Sequence, residues 1–221
     1  MSEVLPVDDP TARERAVAVL RSGGLVVAPT DTVYGVLVDA FARDATQRLL
    51  IAREGGRDSP LTVLIRNPRQ IIGLTDQTNE AGDRLMAAFW PGPLTLIFQA
   101  GAALGWDLGN TRGTVAIRMP TEEHLHDLIA DVGPLACTSA NLAGGEVPTT
   151  VEEAQSQHGP KVDLYLDGGE RHGLRSTIVD VSRGGAEIRR PGAVSADEIV
   201  EVATGTVDWG RPTGQEPDAA G

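Results

Sequence analysis

Two short polar stretches carry the first hint of chemistry. In Pro29-Thr30-Asp31-Thr32-Val33-Tyr34-Gly35, three hydroxyls and a carboxylate crowd together directly after the apolar run Leu25-Val26-Val27-Ala28. That run reads as a buried strand, and open α/β sheets bind ligands at the C-terminal edges of their strands. The same residues also suit a capped turn, because Thr and Asp satisfy backbone groups at strand exits. The second stretch, Thr138-Ser139-Ala140-Asn141, again closes an apolar run and leads into Gly144-Gly145. Its hydroxyl and amide groups suit a phosphate or a base edge, or an ordinary polar turn.

Arginines supply the anion-binding inventory, through Arg53, Arg57, Arg118, Arg175 and Arg190. Arg118 ends the run Val115-Ala116-Ile117, where a strand would fade into solvent or a cleft, and Arg190 stands in Arg189-Arg190-Pro191-Gly192. Both favour bidentate contact with carboxylate or phosphate, whereas Arg57 and Arg175 read as solvated surface charges. Lys161 is the single lysine, so no other position can supply a catalytic one.

Other chemistries lack their signatures. Ser139 has no glycine-x-serine-x-glycine elbow, and the chain has no Walker loop or glycine-rich dinucleotide fingerprint. Cys137 lies inside a strand and reads as a packing residue. His124 and His126, two apart on an expected helix, point to different faces, read as surface residues and assemble no metal site.

The elements that must position these residues alternate. Helices are expected over 10–20, 44–53, 79–89, 121–130 and 195–202. Strands are expected over 25–28, 61–65, 94–98, 114–118 and 134–138, then in close succession over 164–166, 177–181 and 187–189. This pattern predicts one α/β domain with a mixed sheet over residues 8–203, followed by a disordered tail over 204–221.

The chain has 221 residues, 41% hydrophobic and 23% charged, ordinary values for a globular protein. No apolar run approaches the roughly 18 residues of a membrane span, and the first residues carry no signal pattern, which predicts a soluble, cytoplasmic protein away from membranes. A net charge of -12 disfavours indiscriminate nucleic-acid binding, so contact with tRNA or RNA would need a local basic cleft. One cysteine excludes an internal disulfide.

Taken in order, Pro29–Gly35, Phe89-Trp-Pro-Gly-Pro-Leu-Thr95, Val115-Ala-Ile-Arg-Met-Pro120, Thr138–Asn141, Asp167-Gly-Gly169, Ser176-Thr-Ile-Val-Asp180 and Arg190-Pro-Gly192 resemble the YrdC-like family of threonylcarbamoyl-adenylate synthases, in its short single-domain form. The resemblance covers about residues 8 to 203. It implies an open, twisted mixed sheet curled around a large cavity. It also implies a reaction of L-threonine, bicarbonate and ATP that gives threonylcarbamoyl-adenylate and pyrophosphate, with magnesium riding on the triphosphate and no prosthetic group. A downstream transferase complex would then carry the group to a tRNA adenosine.

By matching positions, the resemblance puts Thr30, Thr32 and Tyr34 in the substrate cavity and Arg118 and Ser176 near the threonine and carbamate. Thr138, Ser139, Asn141 and Arg190 fall at the nucleotide and its phosphates. One stretch departs from the family pattern. Where members carry Lys-x-Arg shortly before Pro-Leu, this chain has Arg53-Glu54-Gly55-Gly56-Arg57-Asp58-Ser59-Pro60-Leu61. Arg53 takes the lysine's place, Gly55 replaces the arginine, and Arg57 is the residue that would swing inward to substitute. The alternatives are a paralogue that binds nucleotide or RNA with little synthase activity, and an enzyme that forms a carbamoyl-adenylate.

Overall fold

Residues 2–102 and 104–206 are described by a computed structural model. In chain order the strands are β1 (Glu3–Pro6), β2 (Val26–Pro29), β3 (Tyr34–Asp39), β4 (Thr62–Leu64), β5 (Leu94–Gln99), β6 (Thr114–Arg118), β7 (Leu135–Ser139), β8 (Leu164–Asp167), β9 (Thr177–Asp180) and β10 (Glu187–Arg190). The helices are α1 (Ala12–Arg21), α2 (Arg43–Ala52), α3 (Glu80–Phe89), α4 (Glu123–Val132), α5 (Val151–His158) and α6 (Ala196–Thr204).

Alternate residues of the central strands enter two different cores. Val27 joins one core with Tyr34, Val36 and Val38, while Val26 and Ala28 join the other with Leu37. Side chains alternate across a strand with period two, so a sheet that is apolar on both sides must be covered on both. Apolar residues of α2, α3, α5 and α6 pack on the first face, and α1 with α4 packs on the second.

The strands form one mixed sheet in the order β1-β8-β2-β3-β7-β4-β6-β5-β9-β10. Its register fixes which residues share the second face. Gly35 lies opposite Ser139, Thr62 opposite both Cys137 and Ala116, and Leu64 opposite Arg118. Further along, Ile97 lies opposite Ala116, which puts Thr95, two residues away, on the same side. Helices α1 and α4 cover Leu37 and Leu135 and pack against one side of Leu64 and Cys137. The polar remainder of the face stays uncovered.

Local signals set several helix starts. Ser195 and Glu198 form a capping box at α6, Asn79 caps α3, and Thr150 caps α5. Asp9 Oδ1 accepts from Thr11 N at 2.8 Å and Thr11 Oγ1 at 2.6 Å just before α1.

Three elements differ from expectation. The sheet begins before residue 8, because Glu3–Pro6 pairs in parallel with β8. The second half of the Thr30–Gly35 motif enters β3, whose first five residues are all buried and therefore show no alternation. Helix α5 buries Val151, Ala154 and His158 within an otherwise polar octet. The expected tail, beyond its first residues, lies outside the described residues. Among the described residues no helix is long and apolar enough to cross a membrane.

Candidate active site

The uncovered part of the second face floors a cavity of about 410 Å³. Gly35, Thr62, Leu64 and Cys137 line it from the sheet, and the turn after β2, the end of β7 and the segment entering β9 supply the walls. A Cβ at Gly35 would lie 2.8 Å from Cys137 Sγ, so glycine is what lets these two strands approach here. Among the described residues, four that line it are arginines, Arg53, Arg118, Arg175 and Arg190, and none is Asp or Glu.

Arg118, at the end of β6, is buried and held on three sides. Its Nε donates to Gly92 O at 3.1 Å, its Nη1 to Thr32 Oγ1 at 2.9 Å, and its Nη2 lies 2.5 Å from Asp31 Oδ1. Thr32 Oγ1 in turn meets Thr30 Oγ1 at 2.9 Å, and Thr30 Oγ1 donates to Val33 O at 2.7 Å. The capped turn expected of this motif is present, and the hydroxyls that close it also orient the guanidinium.

Arg53 ends α2 and is also buried. It donates to Ser59 O, to Gly56 O at 2.9 Å and to Thr138 Oγ1 at 3.3 Å, so it ties the loop after α2 to the end of β7. Burial pushes its guanidinium below the usual arginine value. Arg190 Nη2 donates to Ser176 O at 2.8 Å and reaches Ser176 Oγ at 3.2 Å, and that hydroxyl meets Thr95 Oγ1 at 2.9 Å. Burial, then the like charges of Arg175 and Arg118, lowers Arg190 to about 10. Among the described residues, buried Arg53 Nε and Arg190 Nε have no hydrogen-bond partner. Such a cluster of like charges is stabilised by a bound anion.

Of the expected site residues, Thr30, Thr32, Tyr34, Arg53, Arg118, Thr138, Ser139, Ser176 and Arg190 all line the cavity. Tyr34 turns its hydroxyl away to the loop after β8, donating to Gly169 O at 2.7 Å and accepting from Gly168 N at 3.1 Å. Arg57 is not in the cavity lining. It does not swing inward but makes a two-pronged ion pair with Asp107, at 2.5 and 3.2 Å, and holds that carboxyl down at about 2. Asn141 is also outside the lining, with its Nδ2 donating to Leu142 O and Gly145 O in the following turn.

Sequence reasoning counted Arg175 among the anion-binding arginines but read it as a solvated surface charge, whereas it lines the cavity and donates to Ser139 Oγ at 2.8 Å. Its signal was its place immediately before Ser176. It also missed Asp31 as the partner of Arg118 and Thr95 as the partner of Ser176. His124 is not a surface residue, since its Nε2 lies 3.0 Å from Pro29 O and burial lowers its pKa.

Burial pushes the Cys137 thiol up to about 12, which removes it as a nucleophile at neutral pH. Among the described residues no cluster of three or more His, Cys, Asp or Glu could hold a metal. With Asp31 committed to Arg118, a divalent cation finds no carboxylate ligand set in the lining and would have to arrive on a phosphate ligand.

The chain matches the family model Sua5_yciO_yrdC, described as telomere recombination, over residues 18–192. A Mycobacterium tuberculosis protein provisionally named threonylcarbamoyl-AMP synthase is 42% identical over 207 residues, covering 91% of this chain and 95% of that protein. The threonylcarbamoyl-AMP synthase of Bacillus subtilis is 34% identical over 205 residues, covering 91% of this chain and 59% of that protein. A crystal structure of Pyrococcus abyssi Sua5 complexed with L-threonine superposes with a TM-score of 0.83 at 31% identity. That match covers 91% of this chain but 60% of the Sua5 chain. Escherichia coli YciO superposes with a TM-score of 0.81 at 24% identity over its whole chain, a likeness of fold alone.

Proposed function

Because the chain belongs to the Sua5/YciO/YrdC family, we propose that it condenses L-threonine, bicarbonate and ATP into threonylcarbamoyl-adenylate and pyrophosphate. The observation that carries this reading is the cavity itself, lined among the described residues by four arginines and a row of hydroxyls with no carboxylate. The threonine amine and bicarbonate give a carbamate with loss of water. A carbamate oxygen then attacks the α-phosphorus, and the bond to the leaving pyrophosphate breaks.

Such a reaction is accelerated by alignment and charge stabilisation without a protein nucleophile. In this reading Arg53, Arg190 and Ser139 face the phosphates. Arg118 Nη1 keeps a second N–H beyond its bond to Thr32, and Nη2, ion-paired with Asp31, has no hydrogen-bond partner among the described residues; these N–H groups, with Thr32 and Ser176, face the threonine carboxylate and carbamate. Thr30 and Tyr34 set the turn and loop that shape this end of the cavity. Binding of L-threonine in the Pyrococcus abyssi Sua5 crystal supports the substrate assignment.

Magnesium would travel on the nucleotide and no prosthetic group is required. The same reading puts the protein in the cytoplasm, upstream of a transferase complex that moves the threonylcarbamoyl group to a tRNA adenosine. The test is to incubate purified protein with ATP, bicarbonate and L-threonine, and to follow the adenylate by mass and pyrophosphate by release. Threonine-dependent release of both is expected. Binding of ATP without it would overturn the synthase reading in favour of a nucleotide-binding paralogue.

A further inference from the structure

Arg175 is held differently from the other cavity arginines. Arg53 and Arg118 are each 6% exposed and pinned by three contacts, and Arg190 is partly buried with its Nη2 on Ser176. Arg175 is exposed, and among the described residues its guanidinium makes one hydrogen bond, to Ser139 Oγ. Its backbone, by contrast, is fixed. Ala193 N donates to Arg175 O at 3.0 Å, and Gly192 packs so closely that a Cβ there would lie 2.3 Å from the same carbonyl oxygen. A lightly held guanidinium on an anchored backbone can swing on to a ligand without moving its loop.

Charge identifies the ligand class. Asp31 balances Arg118, so four lining arginines less one carboxylate leave a surplus of three positive charges, on Arg53, Arg175 and Arg190. A single carboxylate matches one of these. A chain of two or three phosphates matches all of them. Arg175 and Arg190 are electrostatic neighbours, and Ser139, bonded to Arg175, stands beside them as a further donor.

We propose that Arg175 and Arg190 clamp the polyphosphate end of the nucleotide, with Arg175 moving from Ser139 on to the phosphates that leave as pyrophosphate. The identity of the leaving group rests on the synthase reading, whereas the polyphosphate clamp does not. Arg175 thereby acts as a binding residue for one substrate and one product.

Calorimetry with inorganic pyrophosphate and tripolyphosphate on wild type, Arg175→Met and Arg175→Lys tests the clamp without turnover. Loss of one charge-assisted contact should weaken both anions about tenfold or more in the methionine variant, with part of the affinity restored by lysine. In the threonine-dependent assay the KM for ATP should rise and that for threonine should change less than about twofold. Melting curves run in parallel keep a folding defect apart, and the lysine variant carries the test where methionine lowers stability.

Unchanged pyrophosphate affinity in Arg175→Met would overturn the proposal, as would equal losses for threonine and pyrophosphate, since those would mark a residue that merely shapes its loop. If wild type makes no adenylate while the anion affinities fall and recover as expected, the clamp stands and the synthase reading falls. If adenylate forms normally and pyrophosphate binding ignores position 175, the clamp falls and the synthase reading stands.

Discussion

Arg118 Nη2 lies 2.5 Å from Asp31 Oδ1, and the two side chains are 7% and 11% exposed. One of the four arginines lining the cavity is therefore also the counter-ion of a buried carboxylate. Removing one member of such a pair leaves an uncompensated charge and typically costs about 3–5 kcal/mol. Arg118→Ala and Asp31→Asn should each lower stability in urea unfolding, and Arg118→Ala should also remove activity. The double variant should lose clearly less than the sum of the two. Strictly additive losses would show that the pair is not coupled.

Cys137 gives a cheap check on the absence of covalent chemistry. Its thiol faces the cavity floor, yet burial pushes it up to about 12. Because the thiolate is the reacting species, a disulfide reagent at pH 8 should modify folded protein slowly. In urea it should titrate one thiol per chain, matching the single cysteine. Rapid modification of folded protein would mean that a thiolate is present in the site.

His124 and His158 predict an acid limb in stability. Burial is the largest cause lowering both, against Glu122 and Asp127 near the first and Glu54 near the second. In the unfolded chain a histidine takes up its proton near pH 6.5, while the folded state keeps these two neutral to lower pH. The unfolded state then binds more protons, so stability is full above about pH 6.5 and declines as pH falls below it. Melting temperatures from pH 7.5 to 5.5 should fall more steeply in wild type than in a His124→Gln, His158→Gln double variant. Parallel profiles would remove the histidines as the cause.

Much of the fold was legible because the strands that carry the site are bounded by polar or turn-forming residues. The runs ending at Ala28, Arg118 and Thr138 were read as strands, and their exits converge on the cavity. What escaped was set by tertiary contact. The β3 strand is buried throughout and carries no period-two pattern, and β1 is four residues whose strand character comes from pairing with β8. At the site, Arg57 and Arg175 looked alike as loop charges. Asp107, 50 residues beyond Arg57, draws the first outward, and Ser139, 36 residues before Arg175, draws the second inward. Partners so distant in sequence leave no local trace.

The loop after α2 yields the last prediction, because its two arginines have opposite fates. Arg53 is buried and ties Ser59, Gly56 and Thr138 together, so Arg53→Ala should cost about 2 kcal/mol of stability and about a hundredfold in activity. Arg57 is paired to Asp107 outside the cavity, so Arg57→Ala should leave activity within about twofold. Gly55 is not in the left-handed backbone region, and a Cβ there would lie 3.3 Å from Arg53 Nε. Gly55→Arg is thus sterically tight but not conformationally forbidden, and it sets a second cation beside Arg53. The added charge should lower the KM for ATP provided that the cavity, and not the solvent, receives it. The four proteins compared in the threonine-dependent assay, with melting curves in parallel, separate these effects. A large loss in Arg57→Ala with no loss in Arg53→Ala would reverse the assignment and move the anion contact to the Asp107 side of the loop.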